Sequence, residues 1–210
     1  ARMVHDFAIT ENYAVIPDLP FEIKSLDGIF FDRPFFQLDV NKPARYGLLP
    51  RNATSQKEVI WFDLKQADGH GCFHFANAYE TVEDGEAIVV LFAATFKKFD
   101  RFFHLQEEHP FYETRDEPQT LKEIRLNITT GEYSMVELIP NQGVDLFSVN
   151  PNYVGDEKNR YIYCATFGNE TLSKKAQQSY WFNGFNKYDT KLRRVVQTVK
   201  YEHESHGGEV

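Results

Sequence analysis

The chain has 210 residues, enough to bury a sizeable hydrophobic core in one or two domains. Apolar residues make up 42% of it, which excludes a disordered acidic protein despite the net charge of -8. That charge, a sequence pI near 5.4 and well-dispersed lysines and arginines argue against nucleic-acid binding, because neutralising phosphates requires clustered cations.

Short extended runs separated by turn residues follow one another along the chain, and no intervening segment keeps a 3.6-residue apolar period over a helical length. The sequence therefore predicts an all-β fold, with at most a turn or two of helix at Phe99–Gln106 and Thr171–Gln178. The predicted strands are Asn12–Pro17, Tyr46–Leu49, Val59–Asp63, Cys72–Ala78, Ala87–Ala94, Lys122–Ile128, Tyr133–Ile139, Arg160–Ala165, Trp181–Tyr188 and Arg194–Tyr201.

A weak internal repeat accompanies these strands. Asp63, Asn127 and Asp189 each end a predicted strand, with 64 residues from the first to the second and 62 from the second to the third. An Asx side chain at such a position can hydrogen-bond its own backbone and start a turn, and a returning strand follows Asn127 and Asp189. A hairpin repeat near this length favours propeller blades with loop insertions over a sandwich.

Aromatic residues are unusually frequent, with 19 Phe and 11 Tyr. They suit either a plain aromatic β core or a pocket for an apolar, conjugated ligand, and composition does not choose between the two. Cys72 and Cys164 are too few for a disulfide framework. No apolar run approaches the ~18 residues that span a bilayer, so the chain is predicted to be soluble or peripheral.

The chain contains seven histidines, two of which lie in apolar, amide-rich extended sequence: His5 and His74. In such a setting an imidazole can be held rigid and neutral, as a metal ligand must be. His70 and His74 have the spacing of a helical zinc pair, but the glycines around His70 and the extended pattern argue against that site. The other histidines lie in polar stretches typical of loops: His104, His109, His203 and His206.

Several segments match a known family in order and spacing. Met3–Tyr13, MVHDFAITENY, closely resembles the second iron-histidine motif of the carotenoid cleavage dioxygenase family, which also includes the retinoid isomerase of the eye. Phe73–Glu80, FHFANAYE, resembles the third motif, F-H-x-x-N-A-[WY]-E. The form HDFAITENY is typical of the plant, algal and bacterial branches. Further matches are Arg45–Arg51, Trp61-Phe62, Val144-Asp145, Asn150-Pro151, Arg160–Tyr163 and Gly207–Glu209.

The resemblance implies a seven-bladed β-propeller, of which about three to four blades would be present, with a non-haem Fe²⁺ on its axis. Four histidines would hold the iron, and His5 and His74 match two of them. The implied reaction uses O₂ to cleave a conjugated double bond of a carotenoid or apocarotenoid into two carbonyl products. Neutral imidazoles suit ferrous iron, and a first shell without carboxylate differs from the 2-His-1-carboxylate oxygenases.

The resemblance also implies supporting residues. Asp145 matches the acid that would accept the distal N–H of His74, and Glu209 matches the acid that would steady the fourth ligand. Phe73 would line the apolar substrate tunnel. The family's first and fourth histidine motifs have no match within residues 1–210, so the chain is interpreted as an internal fragment of one propeller domain.

The sequence departs from the family pattern at three places. Leu146-Phe147 replaces the usual Phe-Pro after Asp145, Val210 replaces a Pro, and an insertion at Lys65–Gly71 lengthens the loop before His74.

Two alternatives stay open: a catalytically silent propeller paralogue that acts as a binding module, and an oxygenase of stilbene-type double bonds. The location would be the plastid in a plant or alga and otherwise the cytoplasm or a membrane surface, and peripheral membrane contact fits lipid-soluble substrates.

Overall fold

The computed structural model describes residues 2–24, 30, 36–97, 119–167 and 181–206. Their strands form three four-stranded antiparallel sheets and one two-stranded ribbon, so the predicted all-β class is confirmed. The two predicted helical turns, at 99–106 and 171–178, lie outside the described residues.

The three sheets follow one another along the chain. The first contains, in spatial order, β1 (Ala8–Ile9), β2 (Tyr13–Asp18), β5 (Arg45–Pro50) and β6 (Ile60–Asp63), and the ribbon of β3 (Phe21–Ile23) and β4 (Phe36–Leu38) lies between β2 and β5 in sequence. The second contains β7 (Gly71–Glu83), β8 (Glu86–Phe96), β9 (Thr120–Asn127) and β10 (Tyr133–Glu137). The third contains β11 (Gly143–Ser148), β12 (Tyr161–Phe167), β13 (Trp181–Asp189) and β14 (Arg194–His206).

Strand β8 is buried on both faces, and its sequence, EAIVVLFAATF, is accordingly almost continuously apolar. Successive side chains of a strand point to opposite faces. Val89 and Leu91 therefore pack with residues of the first sheet, and Val90 and Phe92 pack with residues of the third. Each such side chain contributes about 1.5–3 kcal/mol by leaving water. The second sheet is thus held face to face between the other two.

The first strands of the three sheets, which we call the inner strands, lie side by side. β1, β7 and β11 are each an edge strand, and β7 contacts both β1 and β11. Face-to-face sheets whose first strands gather at one side are the arrangement of successive propeller blades. Residues on these three strands are consequently brought together although they are far apart in sequence.

The predicted Asx turns form at Asn127 and Asp189. The Asn127 carboxamide oxygen accepts the N–H groups of Thr129 and Thr130, each at 3.0 Å, in the turn from β9 to β10. Asp189 accepts two N–H groups at 3.0 Å in the same way between β13 and β14. Asp63 ends β6, as predicted, but β6 is the fourth strand of its sheet and the chain crosses from there to β7, so the hairpin that follows Asn127 and Asp189 is not repeated.

Gly184 is expected to be indispensable for the third sheet. It lies at a bulge between β13 and β14, and a Cβ at this position would overlap the backbone carbonyl oxygen of Val199. Gly184→Ala should lower the free energy of unfolding by about 3 kcal/mol, measured by urea denaturation, because backbone cannot move aside cheaply. Gly131→Ala is the matched control: φ is +78° and the surrounding space is open, so about 1 kcal/mol is expected. Equal losses in the two variants would contradict this account.

Candidate metal centre

His74 lies on the inner strand β7 in an irregular part of the ladder. The β7–β8 register shifts between Cys72 and Phe75 and again between Phe75 and Asn77. A bulge turns side chains away from their regular alternation and is common next to functional sites. The irregularity gives His74 an orientation that a simple alternation of faces does not predict.

His5 lies just before β1, the first strand of the neighbouring sheet. Its ring centroid is 5.0 Å from that of His74, and the two ring planes are inclined by 75°. The structure therefore brings together the two histidines that the sequence singles out, across 69 positions of the chain. Imidazole nitrogens bind divalent metals at about 2.1 Å, so two imidazoles at adjacent coordination positions have centroids about 5 Å apart. The observed pair fits that requirement.

Asp145, on the third inner strand β11, holds the ring of His74. The Nδ1 of His74 and Oδ1 of Asp145 are 2.8 Å apart, and the Asp145 side chain is only 8% exposed. Because a carboxylate can only accept, Nδ1 carries the proton, and Nε2 is the ring nitrogen with the lone pair that a metal needs. The other carboxylate oxygen accepts from the amide nitrogen of Gln119, a buried residue that precedes β9.

The departure at Leu146 has a structural counterpart. The β11–β12 register shifts between Asp145 and Phe147, and Leu146, the extra residue, has φ +48°. A positive φ at a bulky residue is uncommon and concentrates at functional sites. At this bulge the Asp145 side chain reaches His74, with Leu146-Phe147 following it in the chain.

Phe73 belongs to an aromatic cluster beside the histidine pair. Its ring stacks on Phe96, with centroids 5.1 Å apart, and meets the edge of Phe21 at 5.3 Å. His5 contacts the same ring edge to face at 5.6 Å. Phe73 is 9% exposed in this chain, packed with Met3, Phe36 and Leu38 as well. The cluster forms an apolar wall against the imidazoles; a substrate tunnel stays a prediction.

Two polar residues of the third motif, Glu80 and Asn77, brace the site through hydrogen bonds to neighbouring segments. Glu80 accepts from the hydroxyl of Thr10 at 2.5 Å and from the backbone and side chain of Asn12 at 2.7 and 2.9 Å. The Glu80 carboxylate of the third histidine motif therefore holds the second motif, Met3–Tyr13, in place. Asn77 accepts from the Gly155 N–H at 3.0 Å and so links β7 to the turn after β11. Neither contact has a sequence signal beyond the motif letters themselves.

The remaining site prediction, Glu209, lies outside the described residues. Among the residues that are described, no group of three or more His, Cys, Asp or Glu side chains could hold one metal ion. Within the described residues, the candidate centre therefore consists of the imidazoles of His5 and His74, and Asp145 hydrogen-bonds the second of these.

Comparison with known proteins agrees with the geometry. The profile of the family described as RPE65, retinal pigment epithelial membrane protein, matches residues 1–209. The chain belongs to this family. A carotenoid 9,10(9',10')-cleavage dioxygenase of Phaseolus vulgaris is 36% identical over 164 residues, 78% of this chain and 28% of the relative. A zeaxanthin 7,8(7',8')-cleavage dioxygenase of Crocus sativus, described as chromoplastic, is 34% identical over 76% of this chain and 39% of its own length.

The fold is also that of a solved apocarotenoid oxygenase structure. The crystal structure of cobalt-substituted Synechocystis ACO, an apocarotenoid oxygenase, superposes with a TM-score of 0.72 at 20% identity, covering 98% of this chain and 39% of the other. The prediction of a partial seven-bladed propeller is confirmed, and the described residues supply three of its blades. The chain spans between about a quarter and two fifths of the length of these relatives.

His70 has no part in the candidate centre of this RPE65-family chain, as its sequence setting predicted. It is fully buried, with Nε2 at 2.8 Å from the hydroxyl of Tyr46 and Nδ1 at 2.7 Å from the carbonyl of Asp68. Burial lowers the pKa of His70 to about 4, so the ring is neutral at physiological pH. The inserted loop therefore carries a structural histidine that fastens it to β5.

The two cysteines have no disulfide: Cys72 and Cys164 are free and buried, and burial raises the pKa of both thiols. The Cys72 thiol donates to the carbonyl of His74 at 3.4 Å, a weak contact that fixes the backbone at the bulge. In the described ranges no helix is long and apolar enough to cross a membrane.

Acidification is expected to destabilise the protein through His70. The unfolded chain binds a proton at this residue below pH 6.5, whereas the folded chain binds it only near pH 4. The free energy of unfolding should therefore fall by up to about 3 kcal/mol as the pH drops through this interval. His70→Gln should remove that part of the pH dependence in denaturation curves, and Tyr46→Phe should retain it. An unchanged slope in His70→Gln would contradict the assignment.

Proposed function

We propose that this chain supplies two of the histidine ligands of a ferrous iron centre in a dioxygenase that cleaves a conjugated double bond of a carotenoid or apocarotenoid. The observation that carries the proposal is the His5–His74 pair with Asp145 behind His74. The names of the relatives support the reaction and the substrate class. Residues 1–210 would be one segment of a single propeller domain.

The donor set suits ferrous iron. Both residues are imidazoles, a carboxylate fixes the tautomer of one, and neutral imidazole is a ligand that iron accepts readily. When bound, the iron would supply the activation of O₂. Both oxygen atoms end in the two carbonyl products, so the net reaction needs no other oxidant or reductant. Glu209 is proposed, from its motif position, to steady a further histidine.

The chain's own contribution is positioning and exclusion of water. Asp145 holds the proton of His74 at Nδ1, so that Nε2 would be the unprotonated nitrogen that holds the metal. Phe73 and the aromatic cluster provide an apolar wall against which a polyene can lie without displacing hydrogen-bonded groups. Phe73 is thus proposed as a substrate-contacting residue.

The substrate class is proposed from the relatives, but the cleaved bond is not. The Phaseolus relative is named for the 9,10 bond and the Crocus relative for the 7,8 bond, although both resemble this chain to a similar extent. The plastid is the proposed location if the chain comes from a plant or alga, because plant relatives are named chloroplastic or chromoplastic. Contact with a membrane surface would suit delivery of a lipid-soluble substrate.

Loss of either histidine is expected to weaken metal binding. In the full gene product, His5→Ala and His74→Ala should each lower bound iron, measured by elemental analysis, and abolish O₂-dependent bleaching of carotenoid, because each removes one donor. His70→Gln, which changes a histidine outside the centre, should keep its iron at neutral pH. Circular dichroism checks that the variants fold.

Normal iron content in both folded alanine variants would refute the metal centre. A wild-type protein that binds no iron and cleaves nothing would instead favour the silent binding module. Product analysis with a stilbene and a carotenoid in parallel separates the two substrate classes.

Asp145 is expected to matter more for metal affinity than Gln119, because Gln119 reaches His74 only through Asp145. Asp145→Asn cannot accept from His74 and Gln119 through two oxygens, and we expect metal affinity to fall about 10–100-fold. Gln119→Leu leaves the Asp145–His74 contact in place, so its loss should be smaller, about 3-fold to 10-fold. Competition with a chelator under anaerobic conditions measures both. A larger loss in Gln119→Leu than in Asp145→Asn would contradict this order.

A further inference from the structure

Asp6 joins the two histidine segments directly. It follows His5 in the chain, and its Oδ2 accepts the backbone N–H of Phe75, the residue after His74, at 2.9 Å. Its Oδ1 accepts the N–H of Phe7 at 2.7 Å. One carboxylate therefore hydrogen-bonds the backbone on the His5 side and the backbone on the His74 side.

The strand positions explain why a side chain makes this connection. β7 is the edge strand of the second sheet, so N–H groups that point away from β8 have no ladder partner from their own sheet. The N–H of Phe75 is directed to Asp6, between the two register shifts of β7. β1 has only two residues, and its ladder with β2 begins at Ala8, after the histidine. The backbone ladder thus ends before it reaches His5.

The segment around His5 is fastened at both ends. Upstream, Arg2 donates to the Asp18 carboxylate at 2.7 Å, and the Met3 N–H donates to the Phe21 carbonyl at 2.7 Å. Those contacts tie the segment to the first sheet and the ribbon. Asp6 ties it to the backbone of β7, the strand that carries His74, beside the ring contact of His5 with Phe73.

We propose that Asp6 is a positioning residue that sets the separation of the His5 and His74 rings for metal binding. This inference rests on the proposed function. A metal site tolerates ligand displacements of only about 0.5 Å, so a bond that fixes one ligand strand against the other controls affinity. Supporting residues of this kind change metal affinity about 10–100-fold.

The chemistry of the contact predicts how substitutions behave. Asp6→Ala removes both acceptors. Asp6→Asn keeps one acceptor oxygen but places an NH₂ donor against the other N–H, so one of the two hydrogen bonds is lost. We therefore expect Asp6→Ala to weaken metal binding about 10–100-fold and Asp6→Asn to lie between it and the wild type.

A double-mutant cycle distinguishes positioning from general stability. Metal-free full gene product is titrated anaerobically with Co²⁺ against a chelator, and the cobalt absorption spectrum reports the coordination geometry. Because Asp6 acts through His5, the combined variant of His5→Ala and Asp6→Ala should bind no more weakly than His5→Ala alone. Additive losses in the double variant would overturn the proposal. Asp39→Ala is the matched control, since Asp39 also accepts a backbone N–H, that of Asn41 at 3.1 Å, in a turn.

The outcomes distinguish a failure of the positioning role of Asp6 from a failure of the metal centre itself. If His5→Ala leaves Co²⁺ affinity unchanged, the metal centre itself is wrong. If His5→Ala weakens affinity but Asp6→Ala and Asp6→Asn bind like the Asp39→Ala control, only the positioning role is wrong. Should Asp6→Ala fail to fold, Asp6→Asn, which keeps one hydrogen bond, carries the test.

Discussion

The burial of β8 on both faces is the constraint on which the rest of the structure depends. Val89 and Leu91 pack toward one neighbouring sheet, while Val90 and Phe92 pack toward the other. A strand in this position cannot alternate polar and apolar residues without placing a polar side chain in one of the two cores. Its apolar sequence therefore holds three sheets in a stack and thereby aligns their first strands.

The aligned inner strands account for the composition of the candidate centre. His5 precedes β1, His74 lies on β7 and Asp145 lies on β11, so each successive blade contributes one group. The latter two lie at register shifts, where side chains leave their regular alternation. Regular strands align the sheets, and bulges then aim the individual side chains inward.

The polar residues of the two motifs serve mainly to connect strands that share no ladder. Glu80 joins Thr10 and Asn12, Asn77 holds the turn after β11, and Asp6 reaches Phe75. In three of these places the side chain accepts a backbone N–H, from Asn12, Phe75 and Gly155. The two motifs therefore specify the contacts between neighbouring blades as well as the positions of the histidines.

The sequence by itself determined the all-β class, the Asx turns after Asn127 and Asp189, and the choice of His5, His74 and Asp145. Those features depend on local composition, turn chemistry and motif letters, which are readable along the chain. Asp63 ends a strand as predicted, but an Asx residue at a strand end does not reveal that the next strand, β7, belongs to another sheet.

Only the tertiary structure decided that Gln119 supports Asp145, that Asp6 accepts from Phe75, and that Leu146 adopts the positive φ that directs Asp145 inward. Asp6 and Phe75 are 69 positions apart. Their contact follows from how two blades pack together, and packing between distant segments has no local pattern in the sequence. The same packing buries His70 against Tyr46 and so gives a histidine four positions before His74 an entirely different role.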